Sequence, residues 1–84
     1  MIDMEVVVEI KPLNDYFLWI RFLDNKSGII DVKPFIKSGI SKKLEDKAYF
    51  QHVKIDEFGG ICWDNGFDFC PAYLKSILKN DVID

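Results

Sequence analysis

The stretch "WDNGFDFCP", Trp63 to Pro71, sets a tryptophan, two aspartates, an Asn-Gly pair, a cysteine and a proline in nine residues. It is either a functional site or a hairpin that hands the chain to a helix. Asn65-Gly66 is the favoured pair for a two-residue type I′ turn, because both residues accept positive φ cheaply. That turn sets Asp64 opposite Phe67, Trp63 opposite Asp68, Cys62 opposite Phe69 and Ile61 opposite Cys70. Cys62 and Cys70 then fall on opposite faces and cannot bridge, whereas a three-residue loop would change the parity. Pro71 suits the first turn of a helix, and Asp68 lies close enough to offer its carboxylate to the free N–H groups there. The structural reading takes precedence. The functional alternative makes Trp63, Asp64 and Asp68 a shared recognition patch at the hairpin tip.

Outward from this stretch the chain reads as one small α+β domain, residues 1–84. The expected fold is an antiparallel sheet of about five strands, with short helices between strands three and four and one C-terminal amphipathic helix. Met4 to Lys11 is the first strand, with Val6, Val8 and Ile10 on one face and Glu5, Val7, Glu9 and Lys11 on the other. Pro12 stops it. "YFLWIRFL", Tyr16 to Leu23, has Leu18, Ile20 and Phe22 on one face and Phe17, Trp19 and Leu23 on the other, interrupted by Arg21. Apolar residues on both faces mark a central strand. "DNKSG" turns into a third strand, "GIIDV", which Pro34 ends.

Two or three short helical turns fill Pro34 to Gln51, with Gly39 suited to a left-handed cap. "HVKIDE" restores alternation, Val53 and Ile55 inward and His52, Lys54 and Asp56 outward. "FGG" is a turn and "GICW" another strand. Pro71 to Lys79 is an amphipathic helix, Leu74, Ile77 and Leu78 on one side and Lys75 and Lys79 opposite or near its end.

An apolar share of 49% argues against disorder, and a formal charge of −3 gives no whole-chain case for nucleic acid or an anionic membrane. No apolar run approaches the ~20 residues of a membrane span, and "MIDMEVVVEI" lacks the basic start of a secretory leader. Two cysteines without a leader point to a reducing cytoplasm. Catalytic and metal chemistry find little support. His52, the single histidine, lies at the polar phase of a strand. His52, Cys62 and Cys70 lack zinc spacing, and Gly59-Gly60 lacks the pattern of a phosphate cradle. Under the two-residue turn, Asp64 and Asp68 face apart, which weakens an acid/base pair. No catalytic residue and no cofactor is expected.

Lysines 33, 37, 42, 43 and 47, against Glu45 and Asp46, give residues 33–47 a local charge of +3 and leave −6 for the remainder. The segment is read as a solvated surface, with phosphate backbone or an acidic partner as the alternative. It has no arginine and few free aromatics for base stacking. Phe17 and Trp19 are core if the short helices cover them, and otherwise an apolar patch that marks an interface.

The segments "KPL", "DYFLWIRFLDN", "DVKPFI", "KLEDKAYFQHVKID", "GGICWDNGFDFCP" and "YLKSIL" resemble the prokaryotic domain of unknown function 2442, from about Met4 to Ile77. The resemblance implies a fold like the amino-terminal domain of certain prokaryotic regulators. It also implies a small partner protein encoded nearby, in toxin–antitoxin-like pairs. Some relatives add a helix-turn-helix, for which this chain has no room, and that weighs against direct DNA regulation. The family supplies no catalytic residues. The expectation is therefore a non-catalytic cytoplasmic protein-interaction module, the antitoxin-like member of such a pair, with a homodimer also compatible. The alternatives are a nucleic-acid accessory protein using Lys33 to Lys47, then a small enzyme using Asp64 and Asp68.

Overall fold

In a computed structural model, residues 6–37 and 39–78 are described. The strands are β1 (Val7–Pro12), β2 (Phe17–Phe22), β3 (Ser27–Asp31), β4 (Lys54–Ile55), β5 (Ile61–Cys62) and β6 (Asp68–Phe69); the α-helices are α1 (Lys47–Phe50) and α2 (Pro71–Ile77). The strands form two antiparallel three-stranded sheets, ordered β1-β2-β3 and β4-β5-β6. The expected single sheet of about five strands is thus six strands in two sheets. The α+β class, the short helical turns after strand three and the closing helix are as expected. The split follows from Pro34 to Gln51, which carries the chain from one ribbon to the next through 3-10 turns Lys33–Phe35 and Gly39–Glu45 and then α1. The second ribbon meets the first where the Val7 N–H donates to the Gly59 carbonyl, at 2.7 Å.

β2 is central, and Leu18, Ile20 and Phe22 are completely buried on its inner face. β1 departs from simple alternation. A bulge between Val7 and Glu9 inserts an extra residue, so Val7 and Ile10 turn to the core while Val8 is exposed. The expected Val6, Val8, Ile10 face is broken there, and Met4 and Glu5 lie outside the described residues. Of the strand read at His52 to Glu57 only Lys54–Ile55 pairs, with His52 in the preceding turn, though Val53 and Ile55 still pack on the core.

One loop design recurs. Phe22, Asp56 and Trp63 each donate their N–H to the carbonyl four residues on, and each accepts from the N–H three residues on. The third loop residue is left-handed in every case: Asn25 (φ 74°), Gly59 (φ 87°) and Gly66 (φ 97°). These are three-residue hairpin loops, in which a left-handed residue restores the strand direction. Short side chains prime them. Asp24 Oδ1 accepts from the Lys26 N–H, Asp56 Oδ1 from the Phe58 and Gly60 N–H groups, and Asn65 Oδ1 from the Phe67 N–H.

The two-residue turn at Asn65-Gly66 is therefore corrected. Ile61 pairs with Phe69 and Cys62 with Asp68, one step from the expected register. Ile61, Trp63, Phe67 and Phe69 share the inner side, and Cys62 and Cys70 fall on the same side rather than opposite ones. Both thiols are free. Asp68 does not cap α2: Cys70 occupies the N-cap without a side-chain bond, and Pro71 opens the helix. Gly39 is left-handed (φ 65°), but it opens a 3-10 turn rather than closing a helix.

The core is continuous across both sheets. Rings link in a chain: Tyr16 against Phe50 at 5.4 Å, Phe50 against Trp63 at 5.9 Å, Trp63 against Phe67 at 5.7 Å, and Phe69 against Phe35 at 5.2 Å. The Trp63 Nε1–H donates to the Phe50 carbonyl at 2.9 Å, which satisfies the indole's one donor inside the core. Leu74 docks α2 with no exposure. Lys75 Nζ lies 2.5 Å from Asp24 Oδ2 and 4.8 Å from the Phe22 ring centre, fastening α2 to the β2–β3 loop.

Candidate interaction surface

β2 sends Phe17, Trp19 and Arg21 to the face of the first sheet opposite the core. The register sets Lys11 and Ile29 on either side of Trp19, Glu9 and Ser27 beside Arg21, and Asp31 beside Phe17. Phe17, Trp19 and Ile29 are half-buried, and none of them packs against the core. Among the described residues neither α1 nor α2 lies across them. Lys11 Nζ stands 5.4 Å from the Trp19 ring centre, and Arg21 Nε donates to Glu9 Oε1 at 2.9 Å. The face is an apolar stripe on β2 and β3, rimmed by the Lys11 cation of β1 on one edge, the Asp31 carboxylate on the other and the Arg21–Glu9 ion pair along one end. Leu23, 46% exposed, continues the phase of β2 beyond its end.

Of the three residues of the alternative patch at the hairpin tip, Trp63 is 1% exposed and belongs to the core. Asp64 sits in the exposed loop and accepts from the Tyr49 hydroxyl at 2.5 Å. Partial burial first, then that carboxylate, pushes the Tyr49 pKa up. Asp68 is exposed on β6 opposite Cys62, bordering a cleft of about 250 Å³ with Asp56, Phe58 and Cys70. Burial raises the Cys62 thiol pKa, and the Asp56 carboxylate adds to the effect. Among the described residues no group of three His, Cys, Asp or Glu side chains is arranged to hold a metal ion.

The lysines of residues 33–47 are exposed, and several are engaged nearby. Lys33 Nζ lies 3.8 Å from Asp15 Oδ1 and Lys42 Nζ 3.3 Å from Glu45 Oε1, while Lys43 stands 5.3 Å above the Tyr49 ring. Lys37 has interactions of its own, and Lys47 borders a small cleft beside Tyr16. Tyr16 and Asp15 are successive non-glycine residues at positive φ (67° and 62°), and the Tyr16 hydroxyl donates to the Glu45 carbonyl at 2.6 Å.

Three members of the open face are not assigned to it by the sequence: Ile29, Lys11 and Glu9, the last as ion-pair partner of the expected Arg21. Ile29 was legible in principle. A three-residue loop at Leu23 to Asn25 sets it opposite Trp19, and Asn25 at the third position was the signal. The bulge in β1, which brings Glu9 to Arg21, left no such mark.

The chain belongs to the family described as protein of unknown function (DUF2442), whose model matches residues 7–79. No curated protein and no solved structure matches it. No described helix is long and apolar enough to cross a membrane.

Proposed function

We propose that the chain is a non-catalytic protein-interaction module whose working surface is the outer face of the first sheet. One observation carries this reading: the stripe Phe17, Trp19 and Ile29 lies on a sheet face that no described helix covers, with charges at its rim. Interfaces are built this way, an aromatic and aliphatic centre inside a polar border, with tryptophan the residue most enriched among energetic anchors. The partner class is the one implied by the family resemblance, a second small cytoplasmic protein encoded nearby, with this chain as the antitoxin-like half of the pair.

The nucleic-acid reading is less favoured, because Lys33, Lys42 and Lys43 each stand against a carboxylate or ring of their own chain. The enzymatic reading needs Asp64 and Asp68 to act together, yet Asp64 is engaged by Tyr49.

The test is co-expression with the product of the adjacent gene and affinity purification through that product. The parent chain should be retained. Phe17→Ser with Trp19→Ser should lower retention at least ~100-fold, the scale on which a central aromatic pair contributes, while circular dichroism stays that of the parent. Equal retention of a folded double variant would refute the reading.

A further inference from the structure

We propose that β3 pairs edge to edge with β3 of a second copy, making one six-stranded antiparallel sheet around a two-fold axis at Ile29. β3 has a strand on one side only. The Phe22 N–H to Lys26 carbonyl bond closes the β2–β3 hairpin, and the Val32 N–H to Tyr16 carbonyl bond ends the same ladder. Hydrogen-bonded and open pairs alternate along an antiparallel ladder. Gly28 and Ile30 therefore bond inward to Ile20 and Leu18, while the main-chain groups of Ser27, Ile29 and Asp31 point away from β2. Among the described residues no backbone group meets these three from the far side.

Edges that remain single usually carry a lysine, a proline or a bulge. Ser27 to Asp31 carries none of these. The segment is instead complementary to itself. With Ile29 opposite its own copy, Ser27 meets Asp31 at both ends and Gly28 lies across from Ile30. No like charges meet. Asp31 Oδ1 already accepts from the Lys33 N–H, which leaves Oδ2 for the Ser27 hydroxyl of the second copy. Gly28 leaves space on the inner side for the larger Ile30, and Ile29 against Ile29 joins the two stripes through Trp19 into one. β4 and β6, two residues each, are too short to offer a competing edge.

A five-residue edge falls below the roughly 1,200 Å² of a tight interface, so the dimer should be weak, with a dissociation constant of about 1–100 μM. The inference does not depend on the partner reading, because the dimer is carried by the β3 main chain, although the Ile29 side chain belongs to both surfaces.

The test is sedimentation equilibrium from about 5 to about 500 μM on the parent, Ile29→Lys, Ile29→Glu and an equimolar mixture of the two variants. The parent should dimerise reversibly. Each variant sets like charges face to face on the axis and should weaken association at least about tenfold, while the mixture should recover it. A parent that stays monomeric throughout overturns the proposal, as does a dimer indifferent to both substitutions. A mixture of folded variants that stays monomeric does the same. Amide exchange of the parent provides a check that needs no variant. The Ile29 N–H should slow with rising concentration, and a rate independent of concentration would contradict the pairing.

Discussion

Two glycines show how single residues fix this fold in different ways. Gly66 stands at φ 97° with open space around it, so a Cβ there meets no atom and only the backbone conformation resists. Gly60 is the reverse case. Its added Cβ would lie 2.2 Å from the Phe69 carbonyl oxygen and 3.1 Å from Pro71 Cδ, where β5 and the start of α2 come together. Gly66→Ala should therefore cost about 1 kcal/mol, the scale of a left-handed alanine. Gly60→Ala should cost more, ~3 kcal/mol or loss of folding, because backbone rather than a flexible side chain must give way. Urea denaturation of both variants checks the order; the opposite order would contradict the register at Phe69. The presence of Gly59, Gly60 and Gly66 in turns was legible in the sequence. Their different roles were not, since close approach of Phe69 to Gly60 is a tertiary fact. Trp63 was legible as a cross-strand aromatic, and its burial follows once Phe67 rather than Asp68 stands opposite it.

At the scale of elements, the inner faces were the readable part. Leu18, Ile20 and Phe22 alternate strictly, and Leu74 and Ile77 of α2 meet the core, with Leu78 packing on it just past the helix end. Those patterns are dictated by a period of two or of 3.6 residues and need no tertiary knowledge. Loop length was read wrongly at Asn65-Gly66, because a favoured two-residue turn and a three-residue loop ending in glycine share the same dipeptide. The aspartate–asparagine–glycine order of residues 64–66 was the available cue. The bulge in β1 was invisible, and with it the exposure of Val8.

The tie between α2 and the β2–β3 loop has a pH signature. The hydrogen bond from Lys75 holds the Asp24 pKa below its ordinary value of 3.8, with the Lys26 N–H adding to it. A carboxylate depressed in the folded state contributes stability that is full above its unfolded pKa and fades as pH falls through the folded one. The parent should lose stability on acidification below about pH 4 more steeply than Asp24→Asn. Urea midpoints from pH 6 to pH 3 check this; parallel curves for the two proteins would remove the tie as a stabilising contact.

At the scale of the molecule, the two sheets enclose one core, and on the outer face of the first sheet Phe17, Trp19 and Ile29 are half-buried and stand apart from that core. The sequence raised the choice at Phe17 and Trp19 between core and open patch but held no means to decide it. The answer depends on where the chain between β3 and β4 packs, and its described part is anchored on the inner side by Val32, Leu44 and Phe50, all buried. The two tryptophans then report on different environments, Trp63 sealed in the core and Trp19 half-buried on the outer face. Fluorine NMR of the chain carrying 5-fluorotryptophan reads both at once, without substitution, in the free protein and during titration with the protein encoded beside it. The Trp19 signal should show a solvent-isotope shift in the free chain and move on titration, while the Trp63 signal shows neither. A Trp19 signal insensitive to solvent in the free chain, or unmoved in a complex that demonstrably forms, would contradict the assignment of the open face as the working surface.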